Sequence, residues 1–299
     1  MTMELGPQYA ADDPFKKAAR LHQSRFRAGL GVGYNAYGNR LLDADADSPR
    51  WLNYYDKLGV REALVRRFPN QYKAKRDADL LRSEHIPFNL IAPLDSDRPL
   101  AIGILNRAFN LDLVEVTQVE IEYAPEPKSN YLYDGTAFDA YICGRDCAGL
   151  TCGIGIEVKY TEHAYPIGSR EKESVENPSS PYWTVSRTSG SFINPAAPGL
   201  ACDDLRQIWR NHLLGLSMLR PRGGPPLIQR FVSITLYPEG NTHFCKVIPA
   251  YQSLLTEAGR ATFSACTFER FITAISGSAD FDAWRAWLER RYLVAGTSD

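Results

Sequence analysis

Three β-rich segments follow one another through the middle of the chain and constrain the fold more than any other feature. Residues 113–123 are rich in Val, Ile and Thr, and Tyr131–Ile142 and Leu150–Tyr160 come next, with the short Cys143–Gly149 segment as the turn between them. Asp203–Leu219 has helical spacing, with Asp203 or Asp204 as its cap and Pro221, Gly223 and Gly224 stopping it. Gln229–Tyr237 alternates as a further strand, and Phe244–Ile248 reads as an extension of the sheet. The expected class is α/β, with a central mixed sheet flanked by helices.

Upstream, Phe15–Leu30 is amphipathic and ends in glycines 29, 31 and 33. Those glycines follow a helix instead of a strand and lack Walker spacing, so they read as a connector. Asp43, Asp45 and Asp47 lack the glycine and distant glutamate of a calcium loop and read as a solvated turn. A helix is expected over 99–109. Prolines 166, 178, 181, 195 and 198 mark residues 166–200 as a long irregular excursion. Helical patterns recur at 251–258, 266–275 and 280–292. One domain is expected, its core at about 80–250, with helical additions at 1–79 and 251–299.

The charge balance excludes a wholesale basic coat, because 34 Lys and Arg face 35 Asp and Glu. A nucleic-acid partner would need local patches. Residues 61–82 supply one, with Arg61, Arg66, Arg67, Lys73, Lys75, Arg76 and Arg82 against three acids, whereas 112–126 holds five acids and no Lys or Arg. Six cysteines without dense regular spacing point to a reducing, cytoplasmic setting, and no apolar run is long enough for a membrane span. Cys143, Cys147 and Cys152 have the wrong gaps for a paired zinc site, and His212 has no local metal partner.

The chemistry concentrates at Asp139 and at Glu157, Val158, Lys159. Alternation along a strand puts Glu157 and Lys159 on one face, with Gly153 and Gly155 leaving open space beside the acid. The same alternation puts Phe138, Ala140 and Ile142 on the face opposite Asp139. If the two strands pair, Asp139 and Glu157 converge. Two carboxylates sharing a small volume repel unless a cation lies between them, and hard oxygen donors suit Mg²⁺, with Mn²⁺ as a substitute.

The ordered blocks resemble the PD-(D/E)xK nucleases, which have the restriction-endonuclease-like fold, over residues 80–237. Phe88, Asn89 and Leu90, the string DGTAFDAYI at 134–142, GIEVKYTE at 155–162 and QIWRNHLL at 207–214 are similar to a bacterial group of putative restriction endonucleases. The resemblance implies Mg-dependent hydrolysis of DNA phosphodiester bonds, with Asp139, Glu157 and Lys159 as motif residues and Glu84 as an additional metal acid. It also implies that Gln207 and Arg210 approach the metal or the scissile phosphate. Phe138 stands where the family's proline would be, and Asp134 competes with Glu84 for the third acid. DNA is the implied partner, gripped by the 61–82 patch, with a homodimer as one route to cutting both strands. A catalytically inactive binding module on the same scaffold is the alternative.

Overall fold

The computed structural model describes residues 4–163 and 167–294. Six helices precede the sheet: α1 (Pro14–Gly29), α2 (Asp43–Ala46), α3 (Val60–Arg67), α4 (Ala74–Asp77), α5 (Ile86–Leu90) and α6 (Arg98–Phe109). Strands β1 (Leu113–Tyr123), β2 (Phe138–Asp146) and β3 (Thr151–Val158) follow. Then α7 (Ser169–Glu176), α8 (Pro181–Ser189) and α9 (Arg206–Leu219) lead into β4 (Arg230–Tyr237). The chain ends with α10 (Thr242–Ser253), α11 (Glu257–Ala261), β5 (Phe263–Thr267), α12 (Phe268–Thr273) and α13 (Ala279–Tyr292).

The five strands lie side by side in chain order. β1, β2 and β3 are antiparallel, while β3, β4 and β5 run parallel, so the sheet is mixed and β3 is its pivot. Period-two alternation then divides the apolar residues between two layers. Ala140, Ile142, Ile154, Ile156, Val158, Ile234 and Leu236 face a layer that includes Ile104, Phe271 and Trp284. Tyr141 and Phe231 face the other, where Trp209 and Leu213 of α9 pack with Tyr182 and Tyr251. This α/β architecture is a restriction-endonuclease-like core.

Helix α9 approaches the sheet closely because position 215 carries no side chain. A Cβ on Gly215 would lie 1.8 Å from Cζ of Phe231, and that ring is itself only 2% exposed. Gly215→Ala should therefore destabilise the protein by about 1–3 kcal/mol, the usual cost of overpacking. Urea unfolding checks this, and an unchanged midpoint would mean that the helix backs away at no cost.

Several boundaries differ from the sequence reading. β2 starts at Phe138, after an irregular stretch, and runs on to Asp146, so the turn is shorter than expected. Asp146 fixes that turn by accepting from the Ala148 and Leu150 amides and from Arg230 Nη1 at 2.6 Å. The 166–200 excursion holds two helices. Pro181 sits at the first position of α8, where a missing N–H costs nothing, and Gly190 at φ 73° ends it. Phe244–Ile248 lies inside α10, whose buried residues Phe244, Val247, Ile248 and Tyr251 have helical spacing. β5 falls mostly in the gap between the helical patterns expected at 251–258 and 266–275, its five residues too few to show a period. Residues Asp43–Ala46 form a helical turn that buries Asp45 against Arg50, in place of a solvated one. α9 starts at Arg206, and Asp203 takes the Arg206 guanidinium at 2.5 Å instead of capping the first turn.

Candidate active site

Ala140 pairs with Ile156 across β2 and β3, and both side chains enter the first apolar layer. The next residues towards the end of the ladder, Asp139 and Glu157, therefore point to the other side, beneath α9. Asp139 Oδ2 accepts from the Val158 amide at 2.7 Å, which ties the acid of β2 to the strand that carries the motif. Glu157 is only 4% exposed, so its charge needs partners. Lys159 Nζ lies 2.7 Å from its Oε1, which also accepts from Gln207 Nε2, while Oε2 accepts from Asn211 Nδ2.

The electrostatics follow from this crowding. Burial first, and then the neighbouring Glu157 charge, hold the Asp139 carboxyl well above the usual carboxylate range, outweighing Lys159 and the Val158 N–H. Burial alone would lower the Lys159 pKa, but Glu157 and Asp139 together hold it above the ordinary lysine value. Lys159 is an ammonium at neutral pH. Asn211 Oδ1 is buried without a hydrogen-bond partner, an unsatisfied oxygen on the side chain that clasps Glu157.

A profile of the PD-(D/E)XK nuclease superfamily matches residues 10–294, nearly the whole chain. The chain belongs to that superfamily. No curated protein and no solved structure matches it. Phe138 shares an apolar cluster with Tyr141, not with Ala140 and Ile142 as strict alternation requires. The space over Gly153 and Gly155 is filled. A Cβ on Gly155 would lie 2.3 Å from the Phe138 ring, and one on Gly153 would lie 2.7 Å from Tyr141 Oη. These glycines seat two aromatic rings instead of leaving open space.

Among the described residues, no group of three or more His, Cys, Asp or Glu side chains is placed to hold a metal ion. The two candidates for a third acid are accounted for separately. Glu84 is exposed just ahead of α5, and it is Ser83 that reaches the motif strand, donating through its N–H and hydroxyl to Glu162 Oε1. Asp134 accepts from the Thr136 amide and from Tyr182 Oη, which anchors the stretch before β2. Gln207 joins the cluster, whereas Arg210 pairs with Glu171 at 3.2 Å.

The basic stretch divides in the same way. Arg66, Arg67, Lys73 and Lys75 are exposed, Arg67 reaching Glu122 at 3.3 Å, and the half-buried Arg61 donates to the Arg50 carbonyl. Arg76 corrects the expectation. It is 3% exposed, its guanidinium spent on Asp77 and the Gln71 carbonyl over the Phe68 ring, so it braces the fold and offers no surface to a strand.

Asn211 and Glu162 were not among the expected site residues. Asn211 stands four residues after Gln207, a spacing that puts two amides on one helix face. Glu162 carries no comparable signal, since its partners are the backbone N–H groups of Tyr160, Thr161 and Ser83 and the Ser83 hydroxyl.

All six cysteines are free thiols. His212 is a core residue. Thr262 Oγ1 donates to Gly259, so it accepts from His212 Nε2–H at 2.8 Å, and Nδ1 accepts from Tyr251 Oη at 2.9 Å. Burial lowers its pKa to about 3. The imidazole therefore contributes stability in full above its ordinary pKa of about 6.5, and that contribution is lost as pH falls towards 3. His212→Gln should flatten the acid limb of the stability curve by about 1.4 kcal/mol per pH unit between pH 6 and pH 4. Urea midpoints across that range test this, and parallel limbs for the two proteins would show that the imidazole protonates in the folded state.

Proposed function

We propose that this chain hydrolyses DNA phosphodiester bonds with the help of a divalent cation, Mg²⁺ or Mn²⁺ in its place, cutting within strands as an endonuclease. The observation that carries the proposal is the convergence of Asp139, Glu157 and Lys159 on one small volume at the end of β2 and β3. The donor set suits the ion: two carboxylates, Asp139 raised by burial and then by the charge of Glu157, with the unpartnered Asn211 Oδ1 on the side chain that clasps Glu157. Asp139 and Glu157 would hold the cation. When bound, it acidifies a water and offsets charge on the phosphoryl oxygens.

This chain's own residues do the rest. Lys159, held as an ammonium, orients a water and balances negative charge at the phosphorus, but does not abstract a proton. Gln207 and Asn211 lock the Glu157 carboxylate in one orientation. Arg210 contacts a phosphate of the strand, and the exposed Arg66, Arg67, Lys73 and Lys75 grip the backbone further out. The protein acts in the cytoplasm as a single nuclease-like domain, in the manner of the bacterial putative restriction endonucleases it resembles. A homodimer would cut both strands. No helix among the described residues is long and apolar enough to cross a membrane.

One observation favours a second reading. Three donors already sit on Glu157, which leaves one of a carboxylate's roughly four acceptor positions. A non-catalytic module would hold its acid in this way. Plasmid, linear duplex, single-stranded DNA and RNA incubated with Mg²⁺, Mn²⁺ or EDTA separate the two. Divalent-dependent cleavage that is lost in Asp139→Asn supports the nuclease. Binding without cleavage, unchanged in Asp139→Asn and Glu157→Gln, favours the inert module.

A further inference from the structure

Helix α9 carries two clasps side by side. Gln207 and Asn211 hold Glu157, and the residues one step earlier, Arg206 and Arg210, hold Glu171 of α7. Arg206 Nε is 3.1 Å from Glu171 Oε1, and Arg210 Nη1 is 3.2 Å from Oε2. Each clasp is an i,i+4 pair, and neighbouring helix positions differ by about 100° and 1.5 Å, so the two clasps lie on adjoining faces of α9. Glu171 is buried there.

The chemistry of that seat is specific. It presents two guanidiniums to the two oxygens of one delocalised anion, the arrangement that recognises a carboxylate or a phosphate equally well, while the exposed Asp203 takes Nη1 of Arg206. The helix that supplies the carboxylate buries little of its own surface. Of α7, Glu171 is buried, Ser174 and Val175 are half-buried, and Lys172, Glu173 and Glu176 are exposed. Towards α8, Ser180 Oγ donates to the Ser174 carbonyl and Trp183 Nε1 to the Val175 carbonyl. Val175 packs against the edge of the second apolar layer, and the first layer takes no side chain from this helix, so the helix gains little from apolar burial.

We propose that Arg206 and Arg210 form the seat for a phosphate of the substrate strand, and that Glu171 fills this seat in the free protein as an internal stand-in. The proposal rests on the nuclease reading and deepens it, placing a strand phosphate beside Asp139 and Glu157 and making its arrival displace α7. Phosphate and carboxylate exchange on the same two guanidiniums, and no covalent bond changes.

The test uses the full chain in EDTA, so that binding is read without cleavage. Titration calorimetry with inorganic phosphate, and then anisotropy with a labelled duplex, compares wild type with Glu171→Gln. If the stand-in occupies the seat most of the time, removing its charge tightens both ligands about tenfold, and adding Arg210→Gln abolishes that gain. Equal affinities in wild type and Glu171→Gln would overturn the proposal. If Glu171→Gln fails to fold, Glu171→Asp replaces it, and wild type is also proteolysed with and without phosphate. Faster cutting within Ser169–Glu176 supports displacement, and an unchanged rate overturns it. A gain in phosphate affinity with no cleavage under any divalent condition sinks the hydrolytic reading and leaves the seat intact. Cleavage with no gain does the reverse.

Discussion

Replacing Lys159 with methionine should slow single-turnover DNA cleavage by about a thousandfold, the scale of losing one preorganised charge at a reacting centre. Methionine keeps an unbranched stem in the same channel, so the change is chiefly the loss of the ammonium. That ammonium lies 2.7 Å from Glu157 and also offsets Asp139. Without it, two carboxylates share a largely buried site with no counter-charge. Breaking one partner of such a pair costs about 3–5 kcal/mol, so a lower melting temperature is expected as well. Mg²⁺ should restore part of the lost stability in Lys159→Met, because it supplies the missing positive charge. Full single-turnover cleavage by the variant would remove Lys159 from the reaction.

Glu157→Gln should reduce cleavage by about a thousandfold or more and shift the titration of Asp139 in the metal-free protein. The amide keeps the shape of the side chain but has one acceptor oxygen where the carboxylate had two, and Lys159, Gln207 and Asn211 all donate into that space. One donor is left facing an NH₂ group, at a cost of about 1–3 kcal/mol. The Glu157 charge is the second cause, after burial, of the raised Asp139 pKa. Its removal should move Asp139 down towards the ordinary range, measurable by carbon NMR of a labelled carboxyl. An unmoved Asp139 would place the two acids too far apart to share an ion.

Much of the site was legible because strand alternation is a strict geometric rule. Asp139 and Glu157 fall on one face through the period of two, and the ladder between Ala140 and Ile156 brings them together. The same rule failed at Phe138, the first residue of β2, where the backbone has only just entered the ladder and the ring turns over Gly155. The resemblance implied one destination for Gln207 and Arg210, whereas Gln207 meets Glu157 and Arg210 meets Glu171, two acids from distant parts of the chain. Arg76 shows the limit of reading charge along a sequence. Its neighbours are exposed, and only the fold around Asp77 and Phe68 draws it inside. β5 was lost for another reason, because five residues, only Phe263 among them large, carry too little pattern to compete with the helical stretches on both sides.

The seating of Phe231 against Gly215 sets the depth and the longitudinal position of the helix that steers the acidic side chain of β3. A slide by one residue would carry both amides about 1.5 Å along the axis, enough to unmake hydrogen bonds of ordinary length. Mechanical tolerance at the reactive end is thus governed two helical turns away, by an aromatic peg in a notch that only the smallest amino acid provides.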